Sequence, residues 1–173
     1  MIMNRRKATV IYNGVDTDYF YYKDNPKERR GNIHLFVQYN RDENKRFPEA
    51  AYYFQEKARK ESNLELWCVG NFTPELVSYN FDFFNDEDVT YIEPIHDKDK
   101  MGDMMRKAKY LLFPAYADAS PNTVSEAMAC GVQVLCANEC GGTQEVIKKH
   151  FKGIYSIQDM ADDYLRIFRK VMI

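Results

Sequence analysis

The segment Tyr110–Ile147, YLLFPAYADASPNTVSEAMACGVQVLCANECGGTQEVI, constrains the fold more than any other. It opens on Tyr110-Leu111-Leu112-Phe113, an apolar run of the length of a buried parallel strand, which Pro114 ends. A polar loop follows, Asp118-Ala119-Ser120-Pro121-Asn122. A helix is expected from about Thr123, with the small residues Ala127 and Ala129 packed closely and Gly131 as its stop signal. Val132–Cys136 reads as a second strand. Gly141-Gly142 then leads into a short helix through Glu145-Val146-Ile147. Strand, loop, helix N-terminus and strand in that order place a ligand at the carboxyl end of a parallel sheet. The free N–H groups of a helix start suit a phosphate.

The remaining chain repeats the alternation. Asn32–Gln38 and Leu64–Gly70 read as strands, and a helix is expected from about Pro48 to Lys60, with Pro near its start and Glu49 in its first turn. Pro74–Asn80 reads as a short helix and Phe81–Asp88 as a surface helix or loop. Val89–Ile92 is a third strand. Asp97–Lys109 carries Met101, Met104, Met105 and Ala108 at helical spacing, which is core patterning. Short strands are also expected at Thr9–Tyr12, broken by Asn13-Gly14, and around Gly153–Ile157. A last helix, Asp159–Val171, has Leu165, Phe168 and Met172 as its apolar face. Five or six strands alternating with helices predict a doubly wound α/β domain. The 173 residues fit a single domain, with residues 1–31 as an entry segment and loop and 32–173 as the core.

Several function classes fall away. A net charge of −2 leaves no nucleic-acid footprint, and Arg5-Arg6-Lys7 is too short to supply one. No apolar stretch reaches transmembrane length and no signal-peptide core is present, so a cytoplasmic setting is expected. Cys68, Cys130, Cys136 and Cys140 form no CxxC pair and read as reduced, mostly buried thiols. The chain contains neither a GxGxxG nor a Walker A loop. Asp16-Thr17-Asp18 mimics a DxD metal motif three residues long, too little to assign a metal. His34, alone in a strand, reads as a packed, hydrogen-bonded side chain.

The motif PNTVSEAMACGVQVLCANECGGTQEVI resembles the signature of the donor-binding domain of glycosyltransferase family 4, retaining enzymes of the GT-B architecture. The family pattern is an acidic residue, seven residues, Glu-Ala-Met-Ala-Cys-Gly, a strand and Gly-Gly-x-x-Glu-Val-Ile. Here the acidic pair is Asp118 and Glu126, with Asp in place of the usual Glu. Asn13-Gly14-Val15-Asp16 resembles the family's entry into its second domain, so the resemblance implies the Rossmann-like, C-terminal half of a GT-B fold. An N-terminal acceptor domain, absent from this sequence, would then be missing or separately encoded.

The resemblance also implies roles. Arg41 and Lys45, in the charged loop after the first strand, match the two cations that grip the donor diphosphate. Arg46 stands where the family has glycine and is a substitute for Lys45. Two fixed cations answer the charge that grows on a departing diphosphate; the alternative for this loop is a solvated charge cluster. Asp118 would hold the donor sugar and Glu126 the ribose hydroxyls, since a carboxylate accepts two hydroxyl hydrogen bonds. Ser120, Asn122 and Thr123 would meet phosphate at the helix start, with N-terminal capping as the alternative for Asp118 and Ser120. Gly70 would allow close backbone approach to a ligand, and Ile95 and His96 are candidates for base contact. The expected ligand is a nucleotide-diphospho-sugar, with no cofactor and no metal. A non-catalytic or vestigial nucleotide-sugar-binding protein and a GT-B epimerase-like enzyme remain the alternatives.

Overall fold

The computed structural model describes residues 9–23, 32–39, 43–79, 81–136 and 140–171. Five strands form one all-parallel sheet: β1 Ile33–Gln38, β2 Glu65–Gly70, β3 Val89–Ile92, β4 Tyr110–Phe113 and β5 Gln133–Cys136. Their order is β3-β2-β1-β4-β5. The register runs Leu35 beside Trp67 on β2 and beside Leu111 on β4. The helices among the described residues are α1 Phe47–Ala58, α2 Pro74–Tyr79, α3 Phe81–Phe84, α4 Lys98–Lys107, α5 Asn122–Ala129, α6 Thr143–Phe151 and α7 Ile157–Val171. None is long and apolar enough to cross a membrane.

Strand pleating divides the core in two. Leu35, Val37, Val69, Leu111 and Phe113 face one side, where Met101 and Met105 of α4, Val124 and Ala127 of α5 and Val146 of α6 pack on them. Phe36, Leu66, Cys68 and Leu112 face the other, beneath Phe47, Ala50 and Phe54 of α1. Edge-to-face ring pairs fill this second layer, such as Phe47 with Phe72 at 5.1 Å and with Phe83 at 5.7 Å. Covered on both faces, the sheet is doubly wound.

The helix ends follow local chemistry. Asp97 caps α4 by accepting from the Lys100 amide at 3.2 Å. Helix α7 starts two residues before the expected Asp159. Ser156 and Asp159 cap it reciprocally: the Ser156 amide donates to Asp159 Oδ2 at 2.8 Å, and the Asp159 amide to Ser156 Oγ at 3.1 Å. Arg46 enters α1 in the left-handed conformation, φ 54° and ψ 51°, at the position where the resemblance has glycine.

Two expected strands are absent. Residues 9–14 and 153–157 form no ladder; the single parallel bridge here joins Val15, just beyond the first stretch, to Ser156. The expected apolar face of α7 is not core either: Leu165 is 49% and Phe168 56% exposed, and Met172 lies outside the described residues. The four cysteines are free thiols, with Cys68, Cys130 and Cys140 buried and Cys136 half-buried. His34 is fully buried on β1 and donates from Nδ1 to the Asn32 carbonyl at 3.2 Å.

Candidate functional site

The chain leaves β1 toward β2 and β3 on one side, then returns to place β4 and β5 on the other. The carboxyl ends of β1 and β4 therefore diverge at the topological switch point, where doubly wound sheets bind ligands. The loop after β1 carries Lys45 and the loop after β4 carries Asp118. They join across the switch point: Lys45 Nζ lies 2.8 Å from Asp118 Oδ2, and the Tyr116 amide donates to the Asn44 carbonyl at 3.3 Å. The Lys45 ammonium also sits 5.0 Å from the centre of the Phe113 ring. Desolvation is partial, since the two paired side chains are 22% and 23% exposed.

Asp118 also accepts from the Ser120 amide at 3.3 Å, which shapes the turn into α5. Helix α5 then starts at Asn122 after Pro121 with no side-chain cap. The Val124 and Ser125 amides bond back to the Pro121 carbonyl at 3.1 and 3.3 Å. The Asn122 side chain accepts from Asn13 at 3.0 Å. Thr123, half-buried, occupies the first turn. Behind Asp118, the Gly141-Gly142 turn presses on the same loop. A Cβ on Gly142 would stand 2.2 Å from the Ala119 carbonyl oxygen, so only glycine lets α6 close so tightly on the Asp118 loop.

Glu126, one turn into α5, is half-buried between two adjoining clefts. One, of about 280 Å³, is lined by Tyr39, Ile95, His96, Met101 and Lys98. The other, of about 210 Å³, is lined by Asp16, Lys98, Asn122, Ser125 and Ile157. Burial raises the Glu126 pKa, and the Lys98 charge opposes that rise. The Tyr39 hydroxyl donates to the Ile95 carbonyl at 2.6 Å. Its pKa is raised, first by burial and then by the Glu126 charge. His96 is exposed and its ring lies 5.8 Å from that of Tyr39.

The structure thus brings together Lys45, Asp118, Ser120, Asn122, Thr123, Glu126, Ile95 and His96 at one end of the sheet. Two predicted residues sit elsewhere or face other partners. Arg46 turns to Glu49, 2.7 Å away on α1. Gly70 has φ 128°, and a Cβ there would lie 1.9 Å from the Gln38 carbonyl oxygen; what crowds it is the neighbouring strand. Arg41 lies outside the described residues. Sequence reasoning missed Tyr39, Phe20, Lys98 and Asp16 as cleft residues. Asp16, read only as part of a DxD mimic, pairs with Lys98 at 2.8 Å. A separation of 82 positions left no local signal for that pair.

Residues 23–173 match the family model described as glycosyl transferases group 1. No curated protein matches the chain. Among solved structures, the chain is similar to the C-terminal domain of the glycosyl transferase group 1 family protein LpcC from Francisella tularensis. The TM-score is 0.62 at 20% identity, over 90% of this chain and 88% of that one. It is similar to HepE from Anabaena, solved with UDP and glucose, with a TM-score of 0.70 at 12% identity. That match covers 94% of this chain and 57% of HepE. It is also similar to the pneumococcal O-GlcNAc transferase GtfA, solved with UDP and GlcNAc, with a TM-score of 0.67 at 7% identity over 88% of this chain and 38% of that one. The chain therefore spans little more than half of HepE and less of GtfA. At these identities the likeness is one of fold: the parallel sheet and its flanking helices are those of a GT-B glycosyltransferase domain.

Proposed function

The chain belongs to the glycosyl transferases group 1 family, and on that premise we propose that it is the donor-binding half of a two-domain, retaining glycosyltransferase. The observation that carries the reading is the Lys45–Asp118 pair at the switch point, with Glu126 eight residues on between two clefts. A nucleoside diphosphate sugar laid along this end of the sheet would set its ribose hydroxyls on Glu126. Its base would enter the cleft of Tyr39, Ile95 and His96. Its diphosphate would meet the uncapped start of α5 at Asn122 and Thr123 together with Lys45, and Arg41 from the same loop.

In the reaction the bond between the anomeric carbon and the diphosphate oxygen breaks. Negative charge grows on that oxygen, and the Lys45 and Arg41 cations stabilise it without a metal. The acceptor hydroxyl attacks from the face that the diphosphate leaves and gives its proton to the departing phosphate oxygen. Asp118 holds the sugar hydroxyls through the change. Catalysis by this route needs the acceptor beside the donor, so a second domain must close the cleft. The exposed apolar stripe of α7, with Leu165 and Phe168, supports that requirement, as does the share of HepE and GtfA that the chain leaves uncovered.

Calorimetric titration with UDP, GDP and ADP tests the donor site. One of them is expected to bind, and Glu126→Gln to weaken it by roughly tenfold or more, the loss of hydrogen bonds to a charged acceptor. A folded chain that binds none of the three, or a Glu126→Gln variant that binds as well as the parent, refutes the reading.

A further inference from the structure

An ionised Glu126 offers two acceptor oxygens to the ribose hydroxyls, while its burial raises its pKa. Of the residues lining the two clefts, Glu126, Phe20 and Lys98 are common to both. Lys98 is the first residue of α4, and its ammonium is held by Asp16 Oδ2 at 2.8 Å and lies 5.3 Å from the centre of the Tyr19 ring. Those two contacts come from the entry segment 15–20. The other titratable groups around Glu126 are Tyr39 at the end of β1, His96 and Asp97 ahead of α4, and Asp16 itself. Among the described lining residues, His96 is the one other potential cation, and it borders the base-side cleft alone.

We propose that Lys98 is a positioning residue for Glu126: paired with Asp16 at 2.8 Å, it sets its positive charge on the same two clefts as the Glu126 carboxylate that would receive the ribose hydroxyls. The inference rests on the donor-site reading above and adds a residue to it. Asp16 sets the strength of the effect. It pairs with the cation and offsets part of its field, so the two residues act on Glu126 with opposite sign.

Carbon-13 NMR titration of the side-chain carboxyls in the uniformly labelled chain reads this directly, with Glu126→Gln assigning the signal. Lys98→Met is expected to raise the Glu126 midpoint, the effect of losing a nearby opposite charge. Lys98→Arg is expected to restore it, and Asp16→Asn to lower it. Unfolding or loosening of the cleft would move both variants the same way, so opposite shifts mark the electrostatic role. UDP titrated at pH 5.5 and 7.5 is expected to lose affinity on acidification more steeply in Lys98→Met than in the parent. An unchanged midpoint in Lys98→Met, shifts of one sign in both variants, or an equal shift in His96→Gln overturns the proposal. Should the midpoints move as expected while UDP, GDP and ADP all fail to bind, the charge coupling stands, the donor-site reading falls, and the assignment to ribose falls with it.

Discussion

Acid should weaken this fold through His34, and the size of the effect follows from its surroundings. The ring is fully buried on β1, stacked 4.8 Å from Tyr110 and edge-on to Phe54 at 5.6 Å. Its Nδ1–H is spent on the Asn32 carbonyl, and Nε2 has no partner among the described residues. Burial, and next the Lys57 charge, lower its pKa from 6.5 to about 4. In the unfolded chain the ring takes its proton near 6.5. Above that pH it is neutral in both states and contributes nothing to the pH dependence. Below it the unfolded state binds a proton that the native state refuses, so stability falls from pH 6.5 down to about 4. At 1.36 kcal/mol per unit the full loss is about 3 kcal/mol, of which about 2 kcal/mol has been lost by pH 5. His150, whose pKa is also lowered by burial, acts in the same direction. Urea unfolding at pH 7.5 and 5.0 measures the difference for the parent, His34→Phe and His34→Gln. Each substitution brings its own pH-independent offset, which cancels in the difference. The parent should lose about 2 kcal/mol more between the two pH values than either variant. Equal losses in all three would refute the assignment.

Three further outcomes follow from geometry. Arg46 sits at φ 54°, so Arg46→Gly should be more stable than Arg46→Ala by about 1 kcal/mol in thermal melts. The Glu49 ion pair is lost in both, and a tie or a reversal would contradict the left-handed turn. Gly70→Ala combines φ 128° with a 1.9 Å clash on the Gln38 carbonyl oxygen and should cost about 3 kcal/mol or more in urea unfolding; a loss under about 1 kcal/mol would rule out so close an approach. The double change Leu165→Ser and Phe168→Ser should move stability by no more than about 0.5 kcal/mol, as for exposed positions. A loss of the size seen for buried leucines would show that α7 packs on the domain.

Much of the sheet was legible because each buried strand carries its own apolar run. Leu111, Leu112 and Phe113 announce β4 without knowledge of any partner, and Ala127, Cys130 and Gly131 announce a helix that must pack closely. What failed needed partners. Thr9–Tyr12 and Gly153–Ile157 have strand-like composition, but a strand exists only where a neighbour is free to pair; of these residues Ser156 alone finds a bridge, to Val15. Leu165 and Phe168 have core spacing, and nothing in a helical period says whether a face has another surface to cover it. The site divides the same way. Asp118 and Glu126 share a motif. Lys98 and Asp16 do not, and they meet only because the entry segment folds back over the start of α4. Arg46 reads by its charge, as a substitute for Lys45; what distinguishes it is its backbone, held in a glycine-like conformation while the side chain pairs with Glu49.

The Lys45–Asp118 contact has one more implication. Lys45, proposed to meet phosphate, and Asp118, proposed to hold the sugar, satisfy each other at 2.8 Å. A ligand that presents only an anion takes Lys45 and leaves a carboxylate stranded; one that presents only hydroxyls does the reverse. An intact donor answers both at once. On the donor-site reading, sugar and nucleoside diphosphate offered separately should therefore bind less well than their covalent union by more than the linkage alone provides.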